Sequence, residues 1–163
     1  NFQMKLMAPI LIREDLFTWA EQVRSDGQQI AFTNGCFDLL HFGHIETFIE
    51  AIESGAKLIV AINSDSSISA LKGPTRPLMA ETDRSLLLAS LRYVDAVTIF
   101  PEPTPLETIM LIKPDILVKG DEYAEEDIVG AREVRAWGGT VHRVPMRPDR
   151  STSLIINKIK RLS

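Results

Sequence analysis

Short runs of apolar residues alternate with segments of helical periodicity along most of the chain. The apolar runs predict strands, because they are nearly continuous and are bounded by polar or turn-forming residues. Such runs are typical of parallel strands covered on both faces, whereas strands with one solvent face alternate apolar and polar residues. We predict five strands, at residues 30–33, 58–63, 96–100, 116–119 and 140–144.

The segments between these strands carry helix signals. Residues 13–25 place their apolar side chains on one stripe, and Gly27 ends that helix. The sequence from Thr104 to Glu107 is a capping box with Pro105 at the first helical position. Further helices are predicted at 45–52, just before Lys72, at 128–137, and from Ser151 or Thr152 to 162.

Five β–α units in succession predict an α/β fold. We expect one domain over residues 1–163, built on a doubly wound, five-stranded parallel sheet of Rossmann-like topology with helices on both faces. Residues 1–3 precede Met4, and we treat them as a remnant without a functional part. Ligands of such sheets bind outside the carboxyl ends of the strands. Because the polar motifs follow predicted strands, we expect them to share that edge.

Two histidines, His41 and His44, lie between the first predicted strand and the helix at 45–52. They fall at a helix N-terminus, where free backbone N–H groups and the helix dipole favour anions. Imidazoles added to such a place suit a polyphosphate. The intervening Gly43 allows the backbone to approach a ligand closely.

Two other interpretations of the histidine pair stay open. One is a structural role in the core. The other is a zinc site that also uses Cys36, Asp38 and His142. No cysteine pair supports zinc, so we predict no metal held by protein ligands alone.

Further polar segments follow the second strand. Asn63, Ser64 and Asp65 are substrate contacts or simply a helix N-cap. Lys72 and Arg76 lie in a loop punctuated by glycine and proline, which suits a lid over phosphates. Arg84 occupies the first turn of a helix, where a cation is unfavourable unless an anion lies nearby.

Two segments later in the chain complete the candidates. Gly120 and Asp121 follow the fourth strand, as a turn or as a contact to a ribose or base. Ser151, Thr152 and Ser153 open the last helix. Capping needs only one hydroxyl, so the surplus suggests a phosphate contact.

Composition excludes several classes of protein. The formal net charge of −4 over 163 residues does not favour non-specific nucleic-acid binding. No apolar stretch approaches the roughly 20 residues that span a bilayer, and no signal-peptide pattern precedes Met4. A single cysteine fits a reducing compartment, so we predict a cytoplasmic protein without membrane or nucleic-acid partners. The glycine patterns of P-loop and dinucleotide-binding proteins are missing.

The segment Gly35-Cys36-Phe37-Asp38-Leu39-Leu40-His41-Phe42-Gly43-His44 resembles the signature of the cytidylyltransferase-like nucleotidyltransferase superfamily. That superfamily includes glycerol-3-phosphate cytidylyltransferases and pantetheine-phosphate adenylyltransferases. Residues 62–65, 71–73, 76–77, 117–121 and 151–153 are similar to motifs of the D-glycero-β-D-manno-heptose 1-phosphate adenylyltransferases. In many bacteria that activity is one half of a bifunctional kinase–adenylyltransferase. The sequence resembles only the adenylyltransferase half, so we expect the stand-alone form.

This resemblance implies transfer of AMP from ATP to the heptose 1-phosphate, giving ADP-heptose and pyrophosphate for lipopolysaccharide core synthesis. It implies ATP and a sugar 1-phosphate as ligands, Mg²⁺ entering with ATP, and a homo-oligomer. The implied catalytic residues are His41, His44 and Lys72. The implied nucleotide-binding residues are Cys36, Phe37, Gly43, Gly120, Asp121, Ser151, Thr152 and Ser153, and the implied substrate-binding residues are Asp38, Asn63, Asp65, Arg76 and Arg84.

Two alternative functions are compatible with the same motifs. A glycerol-3-phosphate cytidylyltransferase, or another nucleotidyltransferase for small phosphate substrates, shares most of them. A non-catalytic nucleotide-binding module on the same fold is disfavoured, because both histidines and Lys72 are present.

Overall fold

The computed structural model describes residues 7–162, so the interpretation of residues 1–3 lies outside the described part of the chain. Strands and helices alternate along these residues. In chain order the elements are β1 (Ile10–Leu11), α1 (Arg13–Ser25), β2 (Ile30–Gly35), α2 (Phe42–Ile52), β3 (Lys57–Asn63), α3 (Asp65–Lys72), α4 (Glu81–Ala89), β4 (Ala96–Phe100), α5 (Leu106–Ile112), β5 (Ile116–Gly120), a 3₁₀ turn (Glu125–Asp127), α6 (Ala131–Ala136), β6 (Thr140–Val144) and α7 (Thr152–Lys160).

The described strands form one parallel sheet in the order β1-β4-β3-β2-β5-β6. From β2 the chain first builds outward through β3 and β4, and then returns to the other side of β2 to add β5 and β6. The connection after β2 therefore runs to β3 on one side, whereas the connection after β5 runs to β6 on the opposite side. A crevice opens at such a reversal, outside the carboxyl ends of the two strands.

Apolar side chains fill both faces of the sheet. On one face Phe32 of β2 and Ile59 of β3 pack with α1, α5 and α6. On the other face Ala31 and Val60, from the same strands, pack with Phe48 of α2 and with α4. Burial of both faces explains why these strands are continuous apolar runs rather than alternating ones.

The α/β class and the parallel sheet are confirmed, but the strand count of five is wrong. The sixth strand, β1, is a two-residue edge strand that among the described strands pairs with β4 alone, and two residues are too few to show a period. Two helix starts also differ from prediction. Pro105 is the N-cap of α5 without a side-chain cap, and α6 begins at Ala131 because Gly130 has a φ of 87°.

The longest helix of residues 7–162 is α1, with 13 residues. In this part of the chain no helix combines the length and the apolar character that crossing a bilayer requires.

Candidate active site

A cavity of about 500 Å³ opens at the carboxyl edge of the sheet, above β2 and β5. Its wall is built from the ends of four strands, the starts of α2 and α7, and the loops beside them. Eleven of the sixteen residues predicted for the site line it: Cys36, Phe37, Asp38, His41, His44, Asn63, Lys72, Arg76, Gly120, Ser151 and Thr152. Gly43, Asp65, Arg84, Asp121 and Ser153 lie outside its wall.

The two histidines cap the start of α2 reciprocally. His41 is the N-cap, and its Nδ1 accepts a hydrogen bond from the backbone N–H of Gly43 at 3.2 Å. In return, the backbone N–H of His41 donates to Nδ1 of His44 at 3.2 Å. The two rings lie 3.8 Å apart between centroids. The helix start therefore fixes both imidazoles side by side at the cavity.

This capping decides the tautomer of both rings. A backbone N–H is always a donor, so each Nδ1 must present its lone pair and each proton resides on Nε2. Burial lowers the pKa of His41, and burial together with the neighbouring His41 lowers the pKa of His44 to about 3. At neutral pH the free protein therefore holds two neutral imidazoles, each with one Nε2–H donor left for a ligand.

The turn before α2 has little room to vary. Phe37 adopts a φ of 48°, and its ring packs edge-on against His44 with centroids 5.0 Å apart. A Cβ atom on Gly43 would lie 2.9 Å from the His41 ring. Phe37 and Gly43 thus fix the positions of the imidazoles. Gly43 is not part of the cavity wall, and its lack of a side chain leaves room for the His41 ring.

Asp38 fastens the loop between α3 and α4. Its buried carboxylate accepts from the backbone N–H groups of Leu78 and Met79, each at 2.9 Å, and pairs with Arg76 at 2.8 Å. Burial alone would raise the pKa of Asp38, but these hydrogen bonds and the Arg76 charge outweigh it and hold the pKa below its usual value. The predicted lid is thus anchored at Arg76, whereas Lys72 ends α3 with an exposed side chain at the cavity.

Arg84 explains how a cation is accommodated in the first turn of α4. Its fully buried guanidinium donates to the carbonyls of Cys36, Asn63 and Met79 and pairs with Asp65 at 2.8 Å. The anion that the sequence required is therefore a protein carboxylate. Arg84 and Asp65 lie outside the cavity wall and together tie the ends of β2 and β3 to α4, and the substrate contact expected of them stays a prediction.

The second half of the site comes from β5 and α7. A Cβ atom on Gly120 would clash with the Glu122 carboxylate and the Met146 sulfur, so the backbone there is closely covered. Asp121 is exposed and accepts from the Met146 N–H at 2.9 Å, which assigns it to the turn.

The start of α7 is joined to the histidine loop. Ser151 is the N-cap of α7, where its Oγ accepts from the Leu154 N–H. Thr152 donates to the carbonyl of Leu39 at 3.2 Å, two residues before His41. Ser153 is exposed outside the cavity. The starts of α2 and α7 therefore meet at one corner of the cavity.

Lys119 also lines the cavity, although no sequence motif assigned it a role. Its Nζ donates to the carbonyl of Asn34 at 3.1 Å, across the gap between β5 and β2, and lies 5.1 Å from the centroid of the Tyr123 ring. Burial lowers the pKa of this ammonium, while nearby Glu122 and Cys36 partly offset the effect. The strand pattern alone could not show that Lys119 points into a cavity.

The described residues do not assemble the alternative zinc site. His142 lies on β6 and pairs with Glu50 at 3.1 Å, away from the cavity. Within residues 7–162, no group of three or more His, Cys, Asp or Glu side chains is arranged to hold a metal ion.

Comparison with known families adds a decisive observation to this geometry. Residues 32–158, most of the chain, match the family model described as cytidylyltransferase-like. The chain belongs to the cytidylyltransferase-like family. The resemblance drawn from the histidine motif is confirmed, and the prediction of a nucleotidyltransferase is confirmed at the level of the family.

Individual relatives of this cytidylyltransferase-like chain include bifunctional proteins. The bifunctional protein HldE of Methylobacillus flagellatus is 48% identical over 147 residues, which are 90% of this chain and 30% of that protein. The HldE of Koribacter versatilis is 47% identical over 151 residues, or 93% of this chain and 31% of that protein. The chain thus spans about 30% of the length of these relatives.

Solved structures show the same fold. The lipopolysaccharide core biosynthesis protein of Thermoplasma volcanium has a TM-score of 0.60 and 30% identity, and the match covers 74% of this chain and 98% of that one. A macrolide-efflux protein of Streptococcus pneumoniae has a TM-score of 0.62 at 21% identity, covering 93% of this chain and 56% of that one. The second likeness concerns the fold alone.

Proposed function

We propose that this domain transfers AMP from ATP to D-glycero-β-D-manno-heptose 1-phosphate, releasing pyrophosphate and forming ADP-heptose for lipopolysaccharide core synthesis. Family membership supports the reaction class. The relatives described as bifunctional HldE, and the solved lipopolysaccharide core biosynthesis protein, support the pathway. The similarity of several sequence motifs to those of heptose 1-phosphate adenylyltransferases supports the substrate.

The observation that carries the proposal is the pair of neutral imidazoles at the start of α2. Each presents a single Nε2–H donor, and capping fixes both in place before any ligand arrives. Donors fixed in this way stabilise charge that develops on phosphoryl oxygens without a cost of reorganisation. The arrangement therefore suits transfer at a phosphorus atom.

The proposed reaction needs no general base. A phosphate oxygen of the sugar 1-phosphate is already ionised at neutral pH and attacks the α-phosphorus of ATP. The bond from the α-phosphorus to the bridging oxygen breaks as the new P–O bond forms, and the electron pair leaves with pyrophosphate. His41 and His44 donate to the transferred phosphoryl group, and Lys72 and Lys119 supply positive charge at the same cavity.

The positions of two further residues indicate their roles. Gly120 lines the cavity at the end of β5, and Thr152 joins the start of α7 to the histidine loop. The described side chains offer no metal cluster, so we propose that Mg²⁺ enters as part of the ATP complex, and no step is assigned to it. A homo-oligomer, a cytoplasmic location and the stand-alone form stay predictions.

A matrix of substrates tests the proposal. The protein is incubated with ATP or CTP and with heptose 1-phosphate or glycerol 3-phosphate, and pyrophosphate and the nucleotide product are quantified. We expect ADP-heptose from ATP and heptose 1-phosphate at the highest kcat/KM. Faster turnover of CTP with glycerol 3-phosphate would establish the alternative cytidylyltransferase. ATP binding without pyrophosphate release in any combination would indicate a non-catalytic module.

A further inference from the structure

Arg150 lies where the starts of α2 and α7 meet. It precedes the N-cap Ser151 and lines the cavity. Its guanidinium carbon lies 4.6 Å from the centroid of the Phe42 ring. Phe42 is the first residue of α2 and follows His41 directly. The stacked ring therefore holds a cation beside the two imidazoles.

The charges around Arg150 do not balance. The carboxylate of Glu46 pairs with Arg147 at 2.8 Å, and Nη1 of Arg150 lies 3.7 Å from its second oxygen, beyond hydrogen-bonding distance. Asp149 lies 4.0 Å from Nε of Arg150, but its side chain is 74% exposed and its charge is largely screened. Two guanidinium groups thus share one well-placed carboxylate.

One donor of Arg150 is also unsatisfied. Its Nη1 is buried and has no hydrogen-bond partner among the described residues. A buried donor on a charged group is costly when it makes no hydrogen bond, because the group has lost water without a replacement. An oxygen of an anionic ligand in the cavity would satisfy it.

We propose that Arg150 binds the β- and γ-phosphates of the nucleoside triphosphate and stabilises pyrophosphate as it leaves. The inference rests on the proposed nucleotidyl transfer and adds a residue that none of the sequence motifs assigned. A guanidinium presents paired N–H groups in a geometry that matches phosphate oxygens. Negative charge grows on the departing pyrophosphate, so a cation at this corner favours bond cleavage.

Binding of pyrophosphate and of AMP separates this role from a structural one. Calorimetry measures the Kd of each with the wild-type protein, Arg150→Gln, Arg150→Lys and Arg161→Gln. Arg161 is the exposed C-cap residue at the opposite end of α7, so its variant controls for the loss of one positive charge. Melting temperatures verify that every variant is folded.

We expect Arg150→Gln to weaken pyrophosphate binding at least tenfold and to change AMP binding less than twofold. Arg150→Lys should retain part of the pyrophosphate affinity, and Arg161→Gln should bind like the wild-type protein. An equal loss for AMP and pyrophosphate, unchanged pyrophosphate binding in Arg150→Gln, or no pyrophosphate binding by the wild-type protein would overturn the inference.

The substrate matrix is run on the same preparations. Pyrophosphate binding that depends on Arg150, without ADP-heptose formation, supports the inference while the proposed sugar substrate fails. ADP-heptose formation with pyrophosphate binding that ignores Arg150 overturns the inference and leaves the proposed function intact.

Discussion

The depressed pKa of His44 makes the stability of the protein sensitive to acid. In the unfolded chain an imidazole has a pKa of about 6.5, whereas burial and His41 lower the pKa of folded His44 to about 3. Between these values the unfolded state binds a proton that the folded state does not. The contribution of His44 to stability is therefore complete above the unfolded pKa and is lost as the pH falls toward the folded one.

The size of the effect follows from proton linkage. On going from about pH 7.5 to about pH 4.5, the shift costs about 2.7 kcal/mol of unfolding free energy. At the lower pH the folded imidazole stays neutral for any pKa below about 4, so the value depends mainly on the unfolded pKa. Against a total stability of about 5–15 kcal/mol, such a loss is measurable.

Urea unfolding, followed by the fluorescence of Trp19 and Trp137, measures this loss in the wild-type protein and in His44→Asn. The amide oxygen that this substitution introduces keeps an acceptor near the position of Nδ1 for the His41 N–H, but the amide does not titrate. We expect the variant to lose about 2–3 kcal/mol less than the wild-type protein between the two pH values. His142→Asn, which removes an exposed histidine outside the cavity, is the control. Equal acid sensitivity of wild type and His44→Asn would refute the reasoning.

Three further predictions concern the cavity. His44→Ala should lower kcat by roughly 10²–10³ with much less change in ATP affinity, because the lost donor acts on developing charge; near-normal kcat in a quenched-flow assay would contradict this. Lys119→Met should lower kcat/KM at least tenfold, about 1.4 kcal/mol, while leaving the melting temperature unchanged or higher, because a partly buried ammonium is removed; equal losses of activity and stability would show a purely structural role. Cys36→Ser should keep turnover within roughly tenfold, since direct transfer needs no thiol nucleophile, and a trapped nucleotidyl adduct on Cys36 would disprove that mechanism.

The sequence predicted the interior of the fold because burial on both faces leaves a strong signal. β4 and β6 match the predicted bounds, and α1 does as well. The failures lie where tertiary pairing decides the structure. The edge strand β1 is defined by its pairing with β4. The helix α6 begins later than predicted because Gly130 has a positive φ, which the pattern of apolar residues does not indicate.

For the site, the sequence located the motif but not the partners of its charges. His41 and His44 were predicted from their position before a helix and from the family resemblance, and they lie at the start of α2. Arg84 and Asp65 were assigned to substrate because a one-dimensional pattern does not reveal that they neutralise each other. Lys119 and Arg150 were given no role, because only the fold shows that these two residues line the cavity.

The helix α7 belongs to neither apolar core, although its start lines the cavity. No described residue of α7 is buried, and neither apolar core draws on it. Yet the start of α7 supplies Ser151 and Thr152 to the cavity, and Thr152 ties it to a loop 113 residues earlier in the chain. A change that undocks α7 would therefore leave both apolar cores intact while it removes Ser151 and Thr152 from the cavity. During synthesis, the same arrangement leaves the cavity wall incomplete until α7 has emerged.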